Sequence, residues 1–117
     1  MPSDICVLLE DGFCADKDGK YFQFCENRSF LDPFPFEQCL LLAKTHPGII
    51  GMEFYGSTGE CVLLLDFSET FNDDDCPTDF IAFDEFDGQP LKGMAPVTLV
   101  EPDTFFFDAE CWICYGY

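Results

Sequence analysis

Basic residues are scarce in this sequence. Five lysines and arginines and one histidine stand against 23 acidic residues, and the formal net charge is −18. A nucleic-acid partner requires a basic stripe that neutralises phosphates, and the sequence has none. The same deficit disfavours anionic membrane surfaces. We therefore expect no nucleic-acid partner, whereas basic proteins, cations and neutral glycans remain compatible with this charge.

Long hydrophobic runs are also absent. No apolar stretch reaches the roughly 18 residues of a membrane-spanning helix, so we expect no direct membrane insertion. Residues 5–9 form an apolar run that is too short for a signal peptide, and no basic segment precedes it. We expect a mature or trimmed chain whose export signal lies outside the sequence.

Side chains suited to acid–base or nucleophilic catalysis are few. His46 is the only histidine, and it stands before Pro47 and Gly48 at the predicted end of a helix, next to the negative end of the helix dipole. No nucleophile-elbow or phosphate-loop motif occurs. Nothing singles out two carboxylates as a glycosidase pair. We predict a protein that is not an enzyme and holds no cofactor.

Two acidic segments match metal sites only in part. Residues 14–25 fit an EF-hand loop at some positions, but cysteines occupy the positions of the first ligand and of the bidentate glutamate. Residues 73–75 with Asp79 could collect a calcium ion through carboxylate oxygens, although acidic loops more often stay solvated. We predict no metal site.

Eight cysteines among 117 residues are the strongest positive feature. Such a density is rare where thiols stay reduced and common in secreted, lumenal and surface domains. An even number fits four disulfides, with on the order of a hundred connectivities. We therefore predict an extracellular or secreted location, or another oxidising lumen such as the thylakoid lumen. The predicted disulfide residues are Cys6, Cys14, Cys25, Cys39, Cys61, Cys76, Cys111 and Cys114.

The last two cysteines form a C-x-x-C sequence at residues 111–114. A redox site of this kind needs a strand-to-helix setting that lowers the pKa of the first thiol. A zinc site needs a second pair of ligands at matching spacing. Neither is present, so we predict structural disulfides.

Apolar periodicity predicts one short helix and several strands in a single domain over residues 1–117. The helix has Asp32 as its N-cap, an apolar face within residues 36–43, and an end by His46, because Pro47 and Gly48 cannot continue it. The predicted strands are residues 5–9 (buried), 20–25, 49–54, 60–67, 80–86 and 97–100, with a closing strand at the C-terminus beside the N-terminal segment. Residues 13–20 are predicted as a turn centred on Asp18-Gly19.

Four residues are candidates for modification or binding. Asn27 begins an N-x-S sequon in a predicted loop, so a secretory protein would be a substrate for glycosylation there. Tyr55, Trp112 and Tyr117 stand near the predicted hairpin tip and the chain end, where aromatic side chains stack on sugars or fill a partner's pocket. Packing in the core or at a sheet edge is the alternative for these three.

The helix and hairpin resemble the PAN/apple superfamily. Glu37-Gln38-Cys39 matches the first cysteine position of the family's helix. Residues 51–55 (GMEFY) match its strand motif, and residues 59–63 (GECVL) match its final cysteine-bearing strand. The family's second bridge has no counterpart, since Ala43 and one of Ile49 or Ile50 occupy the two positions that would form it.

The resemblance implies an α+β fold, a small disulfide-rich domain whose antiparallel sheet is crossed by one short helix. It implies a retained Cys39–Cys61 bridge, which contributes on the order of 3 kcal/mol. Because the family joins its chain ends, it also implies a bridge from one of the first three cysteines to Cys111 or Cys114. Apolar packing of Ala43 would then replace the missing bridge.

Together these features predict a non-enzymatic extracellular or lumenal interaction module that binds protein or carbohydrate on a disulfide-stapled scaffold. The alternative is a structural peripheral subunit on the lumenal side of a larger membrane-associated assembly, because obvious site residues are few and aromatic residues are many. For either role we expect the functional residues at the hairpin tip, near Tyr55, and in the acidic loop at residues 72–77.

Overall fold

The computed structural model describes residues 3–27, 34–102 and 108–116. Within these residues the chain forms one α-helix, one 3₁₀ helix and ten strands, and the paired strands are antiparallel. The strands and the helix are β1 (Ser3–Asp11), β2 (Phe13–Ala15), β3 (Gln23–Asn27), α1 (Phe36–Thr45), β4 (Ile49–Tyr55), β5 (Glu60–Leu65), β6 (Phe80–Phe83), β7 (Glu85–Phe86), β8 (Gln89–Pro90), β9 (Leu99–Glu101) and β10 (Ala109–Gly116).

A six-stranded sheet in the order β1-β10-β4-β5-β3-β6 forms the centre of the molecule. Strand β10 lies between β1 and β4, which confirms the predicted closing strand beside the N-terminal segment. Two smaller ladders join β2 to β9 and β7 to β8. One helix and a mainly antiparallel sheet confirm the predicted α+β class.

Helix α1 agrees with the prediction in its buried face and its end, and differs at its start. Cys39 and Ala43 are fully buried. The N–H of His46 donates to the carbonyl of Leu42, and the helix stops at Thr45. The predicted N-cap, Asp32, lies outside the described residues, and the prediction was wrong because Pro35 occupies the N-cap position without a side-chain hydrogen bond.

The sheet separates two apolar clusters. The cluster beneath α1 contains Ala43 and Ile49 together with the Cys39–Cys61 bridge. Apolar packing therefore occupies the place where the resemblance leaves out a second bridge. The cluster on the opposite face includes Phe22 and Leu64, both almost fully buried.

All eight cysteines are paired in disulfides. The Cys39–Cys61 bridge joins α1 to β5, as predicted. Two bridges tie the N-terminal strands to β10, so the chain ends are joined twice. Four disulfides place the protein in an oxidising compartment. The other three bridges are Cys6–Cys114, Cys14–Cys111 and Cys25–Cys76.

The segment predicted as a turn at residues 13–20 is shorter than expected, because its first three residues form β2 and pair with β9. Asp16 organises the remaining turn: its Oδ1 accepts the N–H groups of Asp18 and Lys20, each at 2.9 Å, and its Oδ2 accepts that of Met94 at 3.1 Å. Burial acts to raise the pKa of Asp16, but these backbone donors outweigh it and hold the pKa below 3.8. Gly19 has the predicted positive φ, 78°.

Two further strand predictions were right in kind and wrong in extent. Residues 80–86 form two strands, β6 and β7, which belong to different ladders. The strand predicted at residues 97–100 begins later, at Leu99, and pairs with β2 through only three residues. Short strands of this kind carry too few alternating residues for the pattern to fix their ends.

The disulfides give a first testable prediction. Cys39 and Cys61 are 22 residues apart. Cys6 and Cys114 are 108 apart, but Cys14–Cys111 already joins the chain ends, so Cys6–Cys114 closes only the short loop formed by residues 6–14 and 111–114. The variant C39A/C61A should therefore lose about 3 kcal/mol of unfolding free energy, and C6A/C114A slightly less, because closing a shorter loop restricts the unfolded chain less. Urea denaturation without reductant measures both. A larger loss in C6A/C114A than in C39A/C61A would contradict the chain-entropy explanation.

Candidate functional site

The prediction that residues 5–9 form a buried strand was wrong about burial. The exposed fractions are 42% for Ile5, 39% for Val7, 47% for Leu8 and 42% for Leu9. The strand lies at one end of the sheet order, so β10 is its single partner among the described strands. A continuous apolar run normally indicates a strand covered on both faces, and here it marks an edge instead.

Side chains of this strand project to both faces of the sheet. Ile5 and Val7 stand opposite Tyr115 and Ile113 on one face, whereas Leu8 stands opposite Trp112 on the other. Tyr115 is 47% exposed and extends the apolar surface onto β10. A register shift follows Leu8 and leaves Leu9 without a partner.

We call the surface formed by these side chains the β1 edge, comprising Ile5, Val7, Leu8, Leu9 and Tyr115. Scattered apolar residues are common on protein surfaces, but contiguous exposed apolar side chains mark sites of interaction or of aggregation. Ile5, Val7 and Tyr115 lie on one face of the sheet and Leu8 on the other, so the β1 edge presents apolar side chains along both sides of the outermost strand. It is therefore the first candidate for a binding surface.

The aromatic residues singled out in the sequence do not form a binding surface. Tyr55 is 8% exposed, and its hydroxyl donates to Glu53 Oε1 at 3.1 Å. Trp112 is half-buried against Phe36, with ring centroids 5.3 Å apart, and its indole N–H is buried without a hydrogen-bond partner among the described residues. Both placements favour the packing alternative. Tyr117 lies outside the described residues.

A groove of about 330 Å³ holds the aromatic side chains that the sequence did not reveal. Tyr21 lines one wall and Phe86 the other, with exposed fractions of 44% and 64%. Lys20, Asp87 and Gln89 supply polar groups along the same groove. We call it the Tyr21–Phe86 groove.

Two turns fix the walls of this groove. The Tyr21 carbonyl accepts the Gly93 N–H at 2.8 Å, and the Phe13 ring packs edge-on against that of Tyr21. The opposite wall is the β7–β8 hairpin, whose turn residues Asp87 and Gly88 have φ of 53° and 78°. Positive φ at both positions is the geometry of a tight two-residue hairpin, which Asp-Gly suits.

Three glutamates lie on the face of the sheet opposite α1. Glu26 and Glu53 both stand opposite Val62, from the strands on either side of it. Glu53 is buried and accepts the Cys14 N–H at 2.8 Å. Burial, a hydrogen bond to the Glu60 carboxylate, and the charges of Glu60 and Glu53 raise the pKa of Glu26 to about 8.

The Glu26–Glu60 pair has no sequence signature. Two carboxyl groups that share a hydrogen bond need one proton between them, so one is neutral at moderate pH. This hydrogen bond is one cause of the raised pKa of Glu26.

Asn27 is 6% exposed, and its side-chain oxygen accepts the Cys61 N–H at 3.0 Å. The sequence placed it in a loop, whereas it ends β3 with its side chain in the protein. This arrangement gives Asn27 a structural role beside the Cys39–Cys61 bridge. Glycosylation at Asn27, which would modify the Nδ2 of this side chain, stays a prediction.

The predicted functional loops are tied to the rest of the structure. At the hairpin tip, the Ser57 N–H donates to Asp108 Oδ2 at 2.6 Å. In the acidic loop, residues 73–75 form the 3₁₀ helix, capped by Asn72. The ring of His46 lies 2.9 Å from the carbonyl of Asp75, where no nucleophile is bonded to it.

None of the helices that the structure describes is both long and apolar enough to cross a membrane. No group of three or more histidine, cysteine, aspartate or glutamate residues in this part of the chain is arranged to hold a metal ion.

No family model, no curated protein and no solved structure matches the chain.

The Glu26–Glu60 pair predicts a specific pH dependence. The unfolded chain ionises Glu26 near pH 4.5, whereas the folded chain keeps it protonated up to about pH 8. Its contribution to the free energy of unfolding is therefore complete below pH 4.5 and is lost as the pH rises through 8. The glutamine of E26Q does not ionise, so its free energy of unfolding should not fall for this reason. Between about pH 4.5 and pH 8 the wild type should therefore lose stability relative to E26Q.

Urea denaturation at several pH values measures the difference. E85Q is the matched control, because it removes the same formal charge from the exposed strand β7. An E26Q profile parallel to the wild type, or an E85Q profile that changes equally, would show that the pair does not titrate as described.

Proposed function

We propose that this chain is a non-catalytic interaction module of an oxidising compartment and that it binds a protein partner through the β1 edge. The observation that supports the proposal is a run of apolar side chains, each about two-fifths exposed or more, on the outermost strand of a sheet that is otherwise well covered. Burying such side chains contributes roughly 25 cal/mol per Å² of apolar surface, which gives a partner a source of affinity.

Charge favours a basic partner. The chain carries a formal net charge of −18, and Glu10 and Asp11 follow the apolar run directly. Complementary charges around an apolar contact accelerate association and exclude partners of the same sign. A basic protein surface is therefore the occupant that this edge fits best.

The proposal that the module is not an enzyme is supported by the state of its reactive groups. Every cysteine is in a disulfide, so no thiol serves as a nucleophile. His46 contacts a backbone carbonyl, and the Glu26–Glu60 pair is hydrogen-bonded to itself. None of these groups has the nucleophile–base geometry of a catalytic site.

The compartment that we propose is extracellular or secreted, and the lumen of a thylakoid or another oxidising organelle is the alternative. Assignment to the PAN/apple superfamily is likewise proposed. Its support is the Cys39–Cys61 bridge between helix and hairpin and the joining of the chain ends by Cys6–Cys114 and Cys14–Cys111.

The double variant I5T/V7T tests the main proposal. Threonine keeps the β-branched shape while removing apolar surface, so the sheet should persist and the partner should dissociate. We expect the tagged wild-type chain to migrate in a native extract as part of a larger complex, and I5T/V7T to migrate as the free chain. Size-exclusion chromatography with immunodetection measures this.

The control for this experiment is F86A, which removes a more exposed apolar side chain from the Tyr21–Phe86 groove. F86A should keep the complex intact. A complex that survives in I5T/V7T, or that is lost equally in F86A, would contradict a role of the β1 edge in partner binding.

A carbohydrate is the second candidate ligand, and the Tyr21–Phe86 groove is the observation in its favour. Two exposed aromatic rings offer apolar faces for a sugar ring, and Lys20, Asp87 and Gln89 offer both donors and acceptors for its hydroxyls. Burial, followed by the charges of Glu101 and Glu53, raises the pKa of Tyr21 above 10.0, so its hydroxyl stays a donor.

A glycan array with wild type and F86A checks this second candidate. Neutral glycans should bind the wild type and lose most of their signal with F86A, while I5T/V7T should bind as the wild type does. An array on which wild type and F86A give equal signals would remove the groove as a sugar site.

A structural subunit of a larger assembly would use the same β1 edge, and the two roles differ in the lifetime of the complex. An interaction module exchanges its partner, whereas an obligate subunit stays bound and buries a larger, more apolar surface. Dilution of the native complex separates them: a module dissociates with time, and a permanent subunit keeps its size.

A further inference from the structure

We propose that the partner binds by adding a β-strand to the outer edge of β1, and that the added strand carries basic residues at both of its ends. This inference rests on the proposed function, because it specifies how the β1 edge is used. It assigns a role to the backbone hydrogen-bonding groups of β1, whereas the proposed function rests on the apolar side chains. Strand addition gains affinity from main-chain hydrogen bonds and specificity from alternate side chains.

The Cys6–Cys114 bridge fixes which backbone groups of β1 face outwards. Its two Cα atoms are 4.0 Å apart, and the residues stand directly opposite each other in the ladder. Such a short separation identifies a pair that exchanges no backbone hydrogen bonds with each other. The N–H and C=O of Cys6 therefore point away from β10, and by alternation those of Leu8 do too, whereas those of Val7 point towards β10.

The other outermost strand of the sheet, β6, is protected against pairing with a further strand. Strand β1 differs from it in this respect. Strand β6 has four residues, and the carboxylate of Asp73 accepts the N–H of Ala82 at 2.8 Å on its outer side. Short length and an acidic cover are standard ways to prevent edge-to-edge pairing. Strand β1 has nine residues, and between its register shifts at Ser3/Ile5 and Leu8/Glu10 only residues 5–8 pair regularly with β10. No described strand pairs with the outer side of this regular stretch.

The flanks of β1 define the chemistry of the added strand. Its apolar centre, residues 5–9, lies between Asp4 on one side and Glu10 and Asp11 on the other. Opposite charges placed across a ladder stabilise a strand pair, and like charges destabilise it. A strand with an alternating apolar centre and lysine or arginine at both ends matches this pattern.

The same charges disfavour a second copy of this chain as the occupant. Antiparallel pairing about Val7 would place Asp4 of each copy opposite Glu10 of the other. Two chains that each carry a formal net charge of −18 also repel one another over the whole surface. The structure thus favours a strand from a different, basic protein.

A synthetic peptide is the probe for this proposal. Its five central residues alternate valine and threonine, and each end carries two lysines. A second peptide has glutamates at the ends instead. The lysine peptide should bind the full chain at least about tenfold more tightly at low ionic strength, and salt should reduce this difference. Fluorescence anisotropy measures both dissociation constants, and equal affinities would overturn the charge assignment.

Two N-methylated forms of the lysine peptide test the hydrogen bonds. One is methylated at alternate amides on one edge of the peptide, and the other at the amides of the opposite edge. Strand addition uses only one edge, so one form should lose binding and the other should keep it. Equal affinity of the two forms would overturn strand addition.

Variants at Leu8 test the same hydrogen bonds from the side of the protein. L8P removes the outward N–H of Leu8, and edge strands tolerate proline at such positions. L8A removes the same side chain and keeps the N–H. We expect L8A to weaken peptide binding several-fold and L8P to abolish it. Peptide mapping of the Cys6–Cys114 disulfide and circular dichroism confirm that both variants are folded. Equal binding by L8P and L8A would contradict strand addition.

Failure of this inference can be told apart from failure of the proposed function. If L8P and L8A behave alike while I5T/V7T still releases the native partner, the β1 edge is a binding surface that works through side chains, and strand addition is overturned. If the native complex persists in I5T/V7T, the proposed function is overturned at its own test.

Discussion

The disulfide between Cys6 and Cys114 is the constraint on which the account depends. It joins the outermost strand to its neighbour, and the short distance between its Cα atoms shows that the backbone groups of Cys6 and Leu8 point away from β10. Without it an apolar strand at the sheet edge, held by one neighbour, would be free to shift its register. With it, the outward N–H and C=O groups of Cys6 and Leu8 have fixed positions, which a partner strand needs.

Electrostatics shapes the rest of the molecule in two ways. The excess of acidic residues keeps copies of the chain apart, so an exposed apolar edge does not lead directly to self-association. Inside the sheet, burial together with the neighbouring Glu60 and Glu53 raises the pKa of Glu26 to about 8. Acidic residues keep copies of the protein apart. At Glu26, however, the ionisation of an acidic residue lowers the stability of the fold as the pH rises.

Local patterns in the sequence predicted the helix and the β4–β5 hairpin, because helical spacing, Pro47-Gly48 and a glycine-bearing loop act over a few residues. The Cys39–Cys61 bridge was implied by the resemblance to the PAN/apple superfamily. The exposure of β1 was missed because an apolar run looks the same in a covered strand and at an edge. Long-range contacts were also missed. Tyr21 and Phe86 line the same groove, and Glu26 hydrogen-bonds to Glu60, although each pair is far apart in the sequence. These pairings depend on topology, for which neither residue carries a local signal.

Amide hydrogen exchange along β1, followed by NMR in the free chain and with the lysine-ended peptide bound, shows whether the outer edge of β1 is open. In the free chain we expect slow exchange at Val7, whose N–H bonds to β10, and fast exchange at Cys6 and Leu8. Peptide binding should then slow exchange at Cys6 and Leu8 and leave Val7 unchanged. Slow exchange at Cys6 and Leu8 in the free chain, or no added protection in the complex, would contradict the claim that β1 is an open edge that accepts a strand.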